Sequence, residues 1–473
     1  MKVEEFRSHA HQLVDWMADY LAGVEEYPVR SQVAPGDIAA QLPATAPETG
    51  EPFTALFADF QEIVMPGMTH WQHPGFHAYF PANSSPPSVL AEMLTATLGA
   101  QCMLWQTSPA AAELEERVLD WLRQALGLPE GWAGVIQDSA STATLCAILS
   151  ARERVTDFAA NEKGLRAVED LVVYCSAEAH SSVEKAVKIA GLGRQAVRPI
   201  AVDENFAMLP GELEKAVASD LAAGHKPTCL VATLGTTGAS GFDPLEPLGE
   251  ICRRHDIWLH VDAAWAGSAL LLPEQRWMIA GIEAVDSFVF NPHKWLLTNF
   301  DCSAYYVRDP AALVRTFEIV AEYLKTREGD RVNDYRDWSV PLGRRFRALK
   351  LWFVLRSYGL QGLREIISRH IELAHELAAK IANAVDFEVQ VPPRLALFCF
   401  RYRPPGISDE GRLDDLNARL LEALNDGGEV YLTQTRVQDR YTIRFCVGQA
   451  GTERRHVDKA WQIIQQTARS LAH

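Results

Sequence analysis

No run of eighteen apolar residues occurs in the 473-residue chain, so a membrane-spanning helix is not expected. Basic blocks are short as well. The densest are Arg344, Arg345 and Arg347, and Arg454 with Arg455, in a chain whose 45 Lys and Arg are outnumbered by 61 Asp and Glu for a formal net charge of −16. That balance argues against a surface gathering nucleic acid or anionic lipid by charge alone. The eight cysteines show no CxxC spacing. Cys175, Cys229, Cys399 and Cys446 lie in or beside apolar runs, so buried thiols are expected rather than disulfides or a zinc site, and no metal is expected. The first residues, MKVEEFRSHAHQLVDWMADYLAGV, carry acidic side chains and helical apolar spacing at Phe6, Leu13, Val14, Met17 and Leu21, unlike a signal or transit peptide. A cytoplasmic protein is expected. Internal repeats and low-complexity tails are also lacking.

What is present is an ordinary globular composition, 48% hydrophobic and 22% charged, on a chain long enough for two or three domains. A first helix leads into a proline-rich connector around Pro28, Pro35, Pro43, Pro47 and Pro52, which reads as an extended arm. HWQHPGFHAYFPANSS then concentrates Trp71, Phe76, Tyr79, Phe80 and Pro81 among turn residues. Such a stretch is either a connector packed under a neighbour or one wall of an aromatic pocket. From about Ala110, short apolar runs (GVIQ, LVVYCS, CLVATLG, IWLHVDA, SFVFN, CSAYYV) alternate with amphipathic helical runs, which implies an α/β unit with a mostly parallel sheet covered on both faces. Helices around 350–360 and 362–384 precede FEVQVPPRLALFCFRYR and VYLTQTRVQDRYTIRFCVG, a small α+β domain with antiparallel strands. The expected organisation is an N-terminal arm over 1–85, a large domain over 86–350 and a small domain over 351–473.

In sheets of this class ligands sit outside the carboxyl ends of the strands. Five strand ends here release polar groups: DSASTATL after GVIQ, AEAHSS after LVVYCS, TTGASG after CLVATLG, DAAWAG after IWLHV, and NPHK after SFVF. The last delivers Lys294 to a strand end, where a desolvated amine becomes neutral and nucleophilic, as Schiff-base chemistry requires. Taken alone, Lys294 reads as a surface lysine with its stem on Trp295 and its head in water. Ser139 and Ser141 at a helix start can hold a phosphate or simply cap the helix, and Thr236 and Thr237 offer similar hydroxyls. His180 can cap or stack on a flat ligand. Asp262, followed by the small Ala263 and Ala264, is a cap or the partner of a cationic ring nitrogen. Together, a phosphate cradle, a stacking face, a carboxylate and an amine describe a pyridoxal 5'-phosphate site.

These stretches resemble one family. NPHKW at Asn291–Trp295, HVDAAWAGSA at His260–Ala269, VIQDSASTATL at Val135–Leu145, AHSSVEKA at Ala179–Ala186, the aromatic stretch His70–Ser85 and DWSVPLGRRFRALKLWF at Asp337–Phe353 are similar to the aromatic L-amino acid decarboxylases, group II pyridoxal phosphate enzymes of aspartate aminotransferase-like fold (fold type I). The resemblance covers nearly the whole chain. It implies that Lys294 carries the cofactor, Asp262 pairs with its ring nitrogen, and His180 stacks on the ring. Ser139, Ala140, Ser141, Asn291 and His293 are implied to hold the phosphate, with Thr237 and Ala264 also at cofactor-contacting positions. Tyr323 matches the loop tyrosine that protonates Cα. Trp71, Tyr79, Phe80 and Pro81 match the substrate wall, and Ala82, Gln101, Met103 and Gly343 match its other substrate-facing positions. Ala82 replaces a threonine common in animal relatives, Gln101 and Met103 replace apolar and aromatic residues, and Asp138 replaces a glycine. Gly343 is a small residue where a larger ring is accommodated. A homodimer is implied. Alternatives are an aromatic acetaldehyde synthase, whose members often lose the loop tyrosine or the stacking histidine, an acidic amino acid decarboxylase, which needs a cationic pocket that Trp71–Pro81 does not supply, and a non-catalytic cofactor-binding scaffold.

Overall fold

The computed structural model describes residues 1–168, 170–319 and 331–471. The chain divides into two compact units, one of Met1–Pro81 with Glu372–His473 and one of Ala82–Ile371.

The second unit is built on a seven-stranded sheet. Its strands are β1 (Ala133–Gln137), β2 (Leu171–Ser176), β3 (Val197–Ile200), β4 (Lys226–Thr233), β5 (Trp258–Asp262), β6 (Ser287–Phe290) and β7 (Ser303–Val307), in the order β1-β7-β6-β5-β4-β2-β3. The run from β3 to β6 is parallel, and β7 is antiparallel to both β6 and β1. Two reversals restore the direction, so β1 points the same way as β6. The carboxyl ends of β1, β2, β4, β5 and β6 therefore share one edge, as the sequence leads one to expect. Every residue of β2, β5, β6 and β7 is buried, which is why these strands read as continuous apolar runs: helices cover both faces. One such layer packs Ile148 and Ala151 of the helix Ala140–Val155, and Val183, Ala186 and Val187 of the helix Ser182–Ile189, onto Val173, Cys229 and Val231.

β3 was not expected. It is only VRPI, and Pro199 lacks a ladder N–H; the strand is tolerated because it lies at the sheet edge and pairs with β2 alone. The break expected between two long helices falls at Gly359, which takes φ 63° inside Arg347–Ala382.

The first unit contains an antiparallel sheet of β8 (Phe387–Val391), β9 (Leu397–Tyr402), β10 (Thr433–Val437) and β11 (Arg440–Cys446), ordered β10-β11-β9-β8. The helices Glu410–Asp426 and Arg454–Leu471 belong to the same unit. The part of the aromatic stretch that belongs to this unit, residues 70–81, is bonded to this sheet's side of the unit at His77. His77 N–H donates to Tyr431 O (2.9 Å), and Cys446 N–H donates to His77 O (3.1 Å). The helix Val3–Gly23 buries none of its residues, leaving Phe6, Val14 and Leu21 exposed.

Candidate cofactor and substrate site

At the shared strand edge of the second unit, β6 ends in Phe290 and the chain turns at once into the short helix Pro292–Trp295. Asn291 stands at its start, buried, and accepts a hydrogen bond from Ser303 Oγ on Oδ1 (2.8 Å), which leaves its Nδ2 as a donor. His293 is also buried. Cys302 N–H donates to its Nδ1 (3.0 Å), so the neutral ring carries its proton on Nε2. Burial, with Lys294 adding to it, pushes the His293 imidazole down to about 3. Both residues thus present donors rather than charge. Half-buried Lys294 has its backbone carbonyl held by Asn83 Nδ2 (2.8 Å).

One strand over, Asp262 closes β5 between Thr233 of β4 and Val289 of β6. It is buried, and its Oδ1 accepts the Ala264 N–H (3.0 Å). The carboxylate's other oxygen is what a cationic ring nitrogen requires. Asn291 N–H donates to Ala264 O (2.9 Å), tying this loop to the lysine loop. His180 follows β2; its Nδ1 accepts the Ser182 N–H (3.2 Å), so the neutral ring is protonated on Nε2. Burial lowers the His180 imidazole, Asp262 pulls it back up and Lys294 pushes it further down. His180, Asp262 and Lys294 thus stand at or just past the ends of β2, β5 and β6 on one edge of the sheet.

Beyond β1, Ser139 caps the sixteen-residue helix Ala140–Val155 by accepting the Thr142 N–H (3.2 Å), and it donates to Asp138 Oδ1 (3.3 Å). Buried Ala140 and exposed Ser141 form the first turn, where amide hydrogens and the helix dipole favour an anion. Thr237 is half-buried after β4, beside Thr236, whose hydroxyl accepts the Gly241 N–H (2.8 Å). Helix-start amides, two neutral donors, a buried carboxylate and a lysine make a donor set that fits pyridoxal phosphate.

Of the expected substrate positions, Ala82, Gln101, Met103 and Gly343 belong to this unit. Gln101 Oε1 accepts the Arg344 N–H (2.7 Å), and a Cβ on Gly343 would lie 3.2 Å from Gln101 Nε2, so these two are adjacent. Met103 O accepts the Arg336 N–H (2.9 Å). Trp71, Tyr79, Phe80 and Pro81 belong to the first unit. There the Trp71 and Tyr79 rings stack at 5.9 Å, Tyr79 Oη meets Tyr431 Oη at 3.3 Å, and Phe80 and Pro81 are buried. Tyr323 lies outside the described residues.

Sequence reasoning missed three supports. Asn83, a buried polar residue three positions after Phe80, holds the lysine's backbone. Trp295 hydrogen-bonds His370, and Arg344 bridges Glu115 Oε1 (2.6 Å) and Ile136 O (2.8 Å) behind β1. Asn83 was readable as the one carboxamide in PANSS; the others depend on distant partners.

A lysine, a carboxylate and an imidazole converging on one strand edge beside a helix-start anion site define a pyridoxal phosphate enzyme. The particular family follows from comparison: the pyridoxal-dependent decarboxylase conserved domain matches residues 35–403, and the chain belongs to that family. It is 43% identical to the aromatic-L-amino-acid decarboxylase of Mus musculus over 100% of this chain and 99% of that one. It is equally 43% identical to the phenylacetaldehyde synthase of Arabidopsis thaliana, covering 100% of this chain and 98% of that one. Among solved structures, Oryza sativa TDC with PLP and tryptamine superimposes with a TM-score of 0.97 at 36% identity, over 100% of this chain and 99% of that one. The mixed, mostly parallel sheet and the cofactor inferred from the sequence accord with this membership.

Proposed function

We propose that the protein decarboxylates an aromatic L-amino acid to the corresponding arylalkylamine and CO2. The observation that carries this is that Lys294, Asp262 and His180 stand at or just past the ends of β6, β5 and β2 at the carboxyl edge of one parallel run of strands. When bound, pyridoxal phosphate supplies an electron sink for the pair released at Cα as CO2 departs. In this proposal Lys294 anchors the cofactor through its amine. Asp262 holds the proton on the ring nitrogen by its opposite charge. The neutral His180 ring lies against the flat face without adding a competing cation. Ser139, Ala140, Ser141, Asn291 and His293 offer the phosphate neutral donors and a helix terminus, with Thr237 and Ala264 beside them. Trp71, Tyr79, Phe80 and Pro81 receive the substrate's ring, and Ala82, Gln101, Met103 and Gly343 adjust its fit. Tyr323 returns a proton to Cα.

The Arabidopsis relative's name supports a second outcome, in which the amino acid, O2 and water yield an aldehyde, CO2, ammonia and hydrogen peroxide. Retention of Tyr323 and His180 favours the amine. We also propose a homodimer, supported by the exposed Leu90, Leu94 and Leu98 along one face of the helix Pro86–Leu98. A cytoplasmic location is supported by eight buried free cysteines; no helix among the described residues is long and apolar enough to cross a membrane. The deciding experiment incubates the holoenzyme with Phe, Tyr, Trp, L-DOPA, 5-hydroxytryptophan, Glu and Asp and measures CO2, amine and hydrogen peroxide together. Equimolar CO2 and amine from aromatic substrates is the expected result. CO2 from Glu or Asp alone would refute it.

A further inference from the structure

Tyr79 stands at φ 49°, in the left-handed region that residues with side chains leave unless their surroundings hold them there. Both of its backbone groups are held from one place. Its N–H donates to Thr433 Oγ1 (3.2 Å), its carbonyl accepts from Arg444 Nη2 (3.2 Å), and Arg444 Nη1 donates to the same Thr433 Oγ1 (2.9 Å). Thr433 and Arg444 face one another across β10 and β11, 9% and 3% exposed. The Arg444 guanidinium lies 5.5 Å from the centroid of the Phe80 ring. On either side the same unit grips the segment: His77 is bonded to Tyr431 and Cys446, and a Cβ on Gly448 would come within 2.6 Å of Pro81 Cγ.

A stability role accounts poorly for this arginine. Burying a guanidinium is costly unless charge and hydrogen bonds are both matched. Among the described residues no carboxylate pairs with Arg444, and its Nε is buried without a hydrogen-bond partner. Its well-made bonds go to the one hydroxyl and the one carbonyl that fix Tyr79.

We propose that the Thr433–Arg444 cross-strand pair is a positioning and specificity-determining device: by clamping the left-handed turn at Tyr79 it aims the Tyr79 and Phe80 side chains at the substrate's ring. The small antiparallel sheet thereby takes part in substrate selection. This rests on the proposal that Trp71, Tyr79 and Phe80 receive that ring.

The test uses the full-length holoenzyme with Thr433→Val, which keeps shape and removes the acceptor, Thr433→Ser, which restores it, and Arg444→Lys. Kinetics on Phe, Tyr, Trp and L-DOPA are paired with cofactor titration by visible absorbance. Thr433→Val is expected to raise KM roughly tenfold, and unequally among the rings, with kcat and cofactor affinity within about twofold of wild type, the signature of lost ground-state positioning. Thr433→Ser is expected to recover wild-type KM. An unchanged KM in Thr433→Val overturns the clamp, as does a parallel fall of kcat, substrate binding and cofactor retention in both Thr433 variants. Should Arg444→Lys not fold, the Thr433 pair decides by itself. A wild-type enzyme without aromatic turnover overturns the proposed function and the clamp with it, whereas wild-type turnover with an unaltered Thr433→Val overturns the clamp alone.

Discussion

Trp265 and Trp295 stack with ring centroids 4.9 Å apart and planes inclined by 15°. Trp265 belongs to the loop that follows Asp262, and Trp295 is the residue after Lys294. Both are 1% exposed, and the Trp295 indole N–H donates to His370 Nδ1 at 3.0 Å. The carboxylate loop and the lysine loop are therefore locked together by a buried aromatic pair, with the Asn291 to Ala264 backbone bond beside it. Rigid apolar contact fixes the two functional groups relative to each other without requiring them to pair directly.

Trp295→Phe retains a ring against Trp265 but deletes the donor to buried His370, a change expected to cost about 1–3 kcal/mol. Trp295→Ala opens a cavity as well, at roughly 3–5 kcal/mol. Denaturant titrations should rank wild type, Phe and Ala in that order. Cofactor retention should fall in the same order, because the platform under Lys294 loosens. Equal midpoints for wild type and Phe would show that the indole N–H contributes nothing.

Lys294 and Asp262 are separable by spectrum and rate. Lys294→Ala is expected to lose the visible absorbance of lysine-bound cofactor together with turnover. Asp262→Asn should keep that absorbance, since the amine remains, while kcat drops on the order of 10²–10³, the scale of removing one preorganised electrostatic partner. A persisting visible band in Lys294→Ala would sink the anchor assignment.

Much of this site was legible because a parallel sheet converts sequence order into geometry. Once GVIQ, LVVYCS, CLVATLG, IWLHV and SFVF are read as co-directional strands, Ser139, His180, Thr237, Asp262 and Lys294 must emerge on one edge. Only the direction of β1 had to be supplied by the structure, through its antiparallel contact with β7. The supports were not legible. The Trp295–His370 bond joins residues 75 positions apart, and Tyr79 meets Arg444 across 365. No periodicity encodes such pairs, and a left-handed tyrosine has no sequence signature of the kind glycine gives to a turn. β3 escaped for the opposite reason: four residues with an internal proline carry too little pattern to read.

Tyr323 lies outside the described residues, so its proposed role is best tested by product analysis. Tyr323→Phe is expected to leave cofactor binding intact and to cut amine formation by about 10²–10⁴-fold, the range for losing a positioned proton donor. Aldehyde and hydrogen peroxide should rise as the fraction of amine falls. An unaltered amine yield would reject the role and leave the proton donor to be sought elsewhere.

Acid sensitivity follows from four buried imidazoles. Burial pushes His77 and His293 down to about 3, and His73 and His260 down to about 4, against an ordinary value of 6.5. A group with a depressed folded value binds its proton in the unfolded chain first, so below pH 6.5 the unfolded state takes up protons that the folded state refuses. Stability is fully present above that pH and is lost as pH falls toward 4 and then 3, at up to about 1.4 kcal/mol per pH unit for each imidazole. Asp243 opposes the trend: burial raises its carboxyl to about 6, so between pH 6 and its ordinary 3.8 the folded state binds the extra proton. Burial raises Glu178 as well, but it also lowers His70, His180, His375 and His456, so the balance is a net loss. Denaturant midpoints at pH 8, 7, 6 and 5 should be level between the first two and then fall. His260→Gln should lower the midpoint at pH 7, because bonds to Ser287 and Thr144 are disturbed, yet flatten the decline below pH 6.5 by one proton's share. A decline that is equally steep in His260→Gln would show that this imidazole is not among the groups responsible.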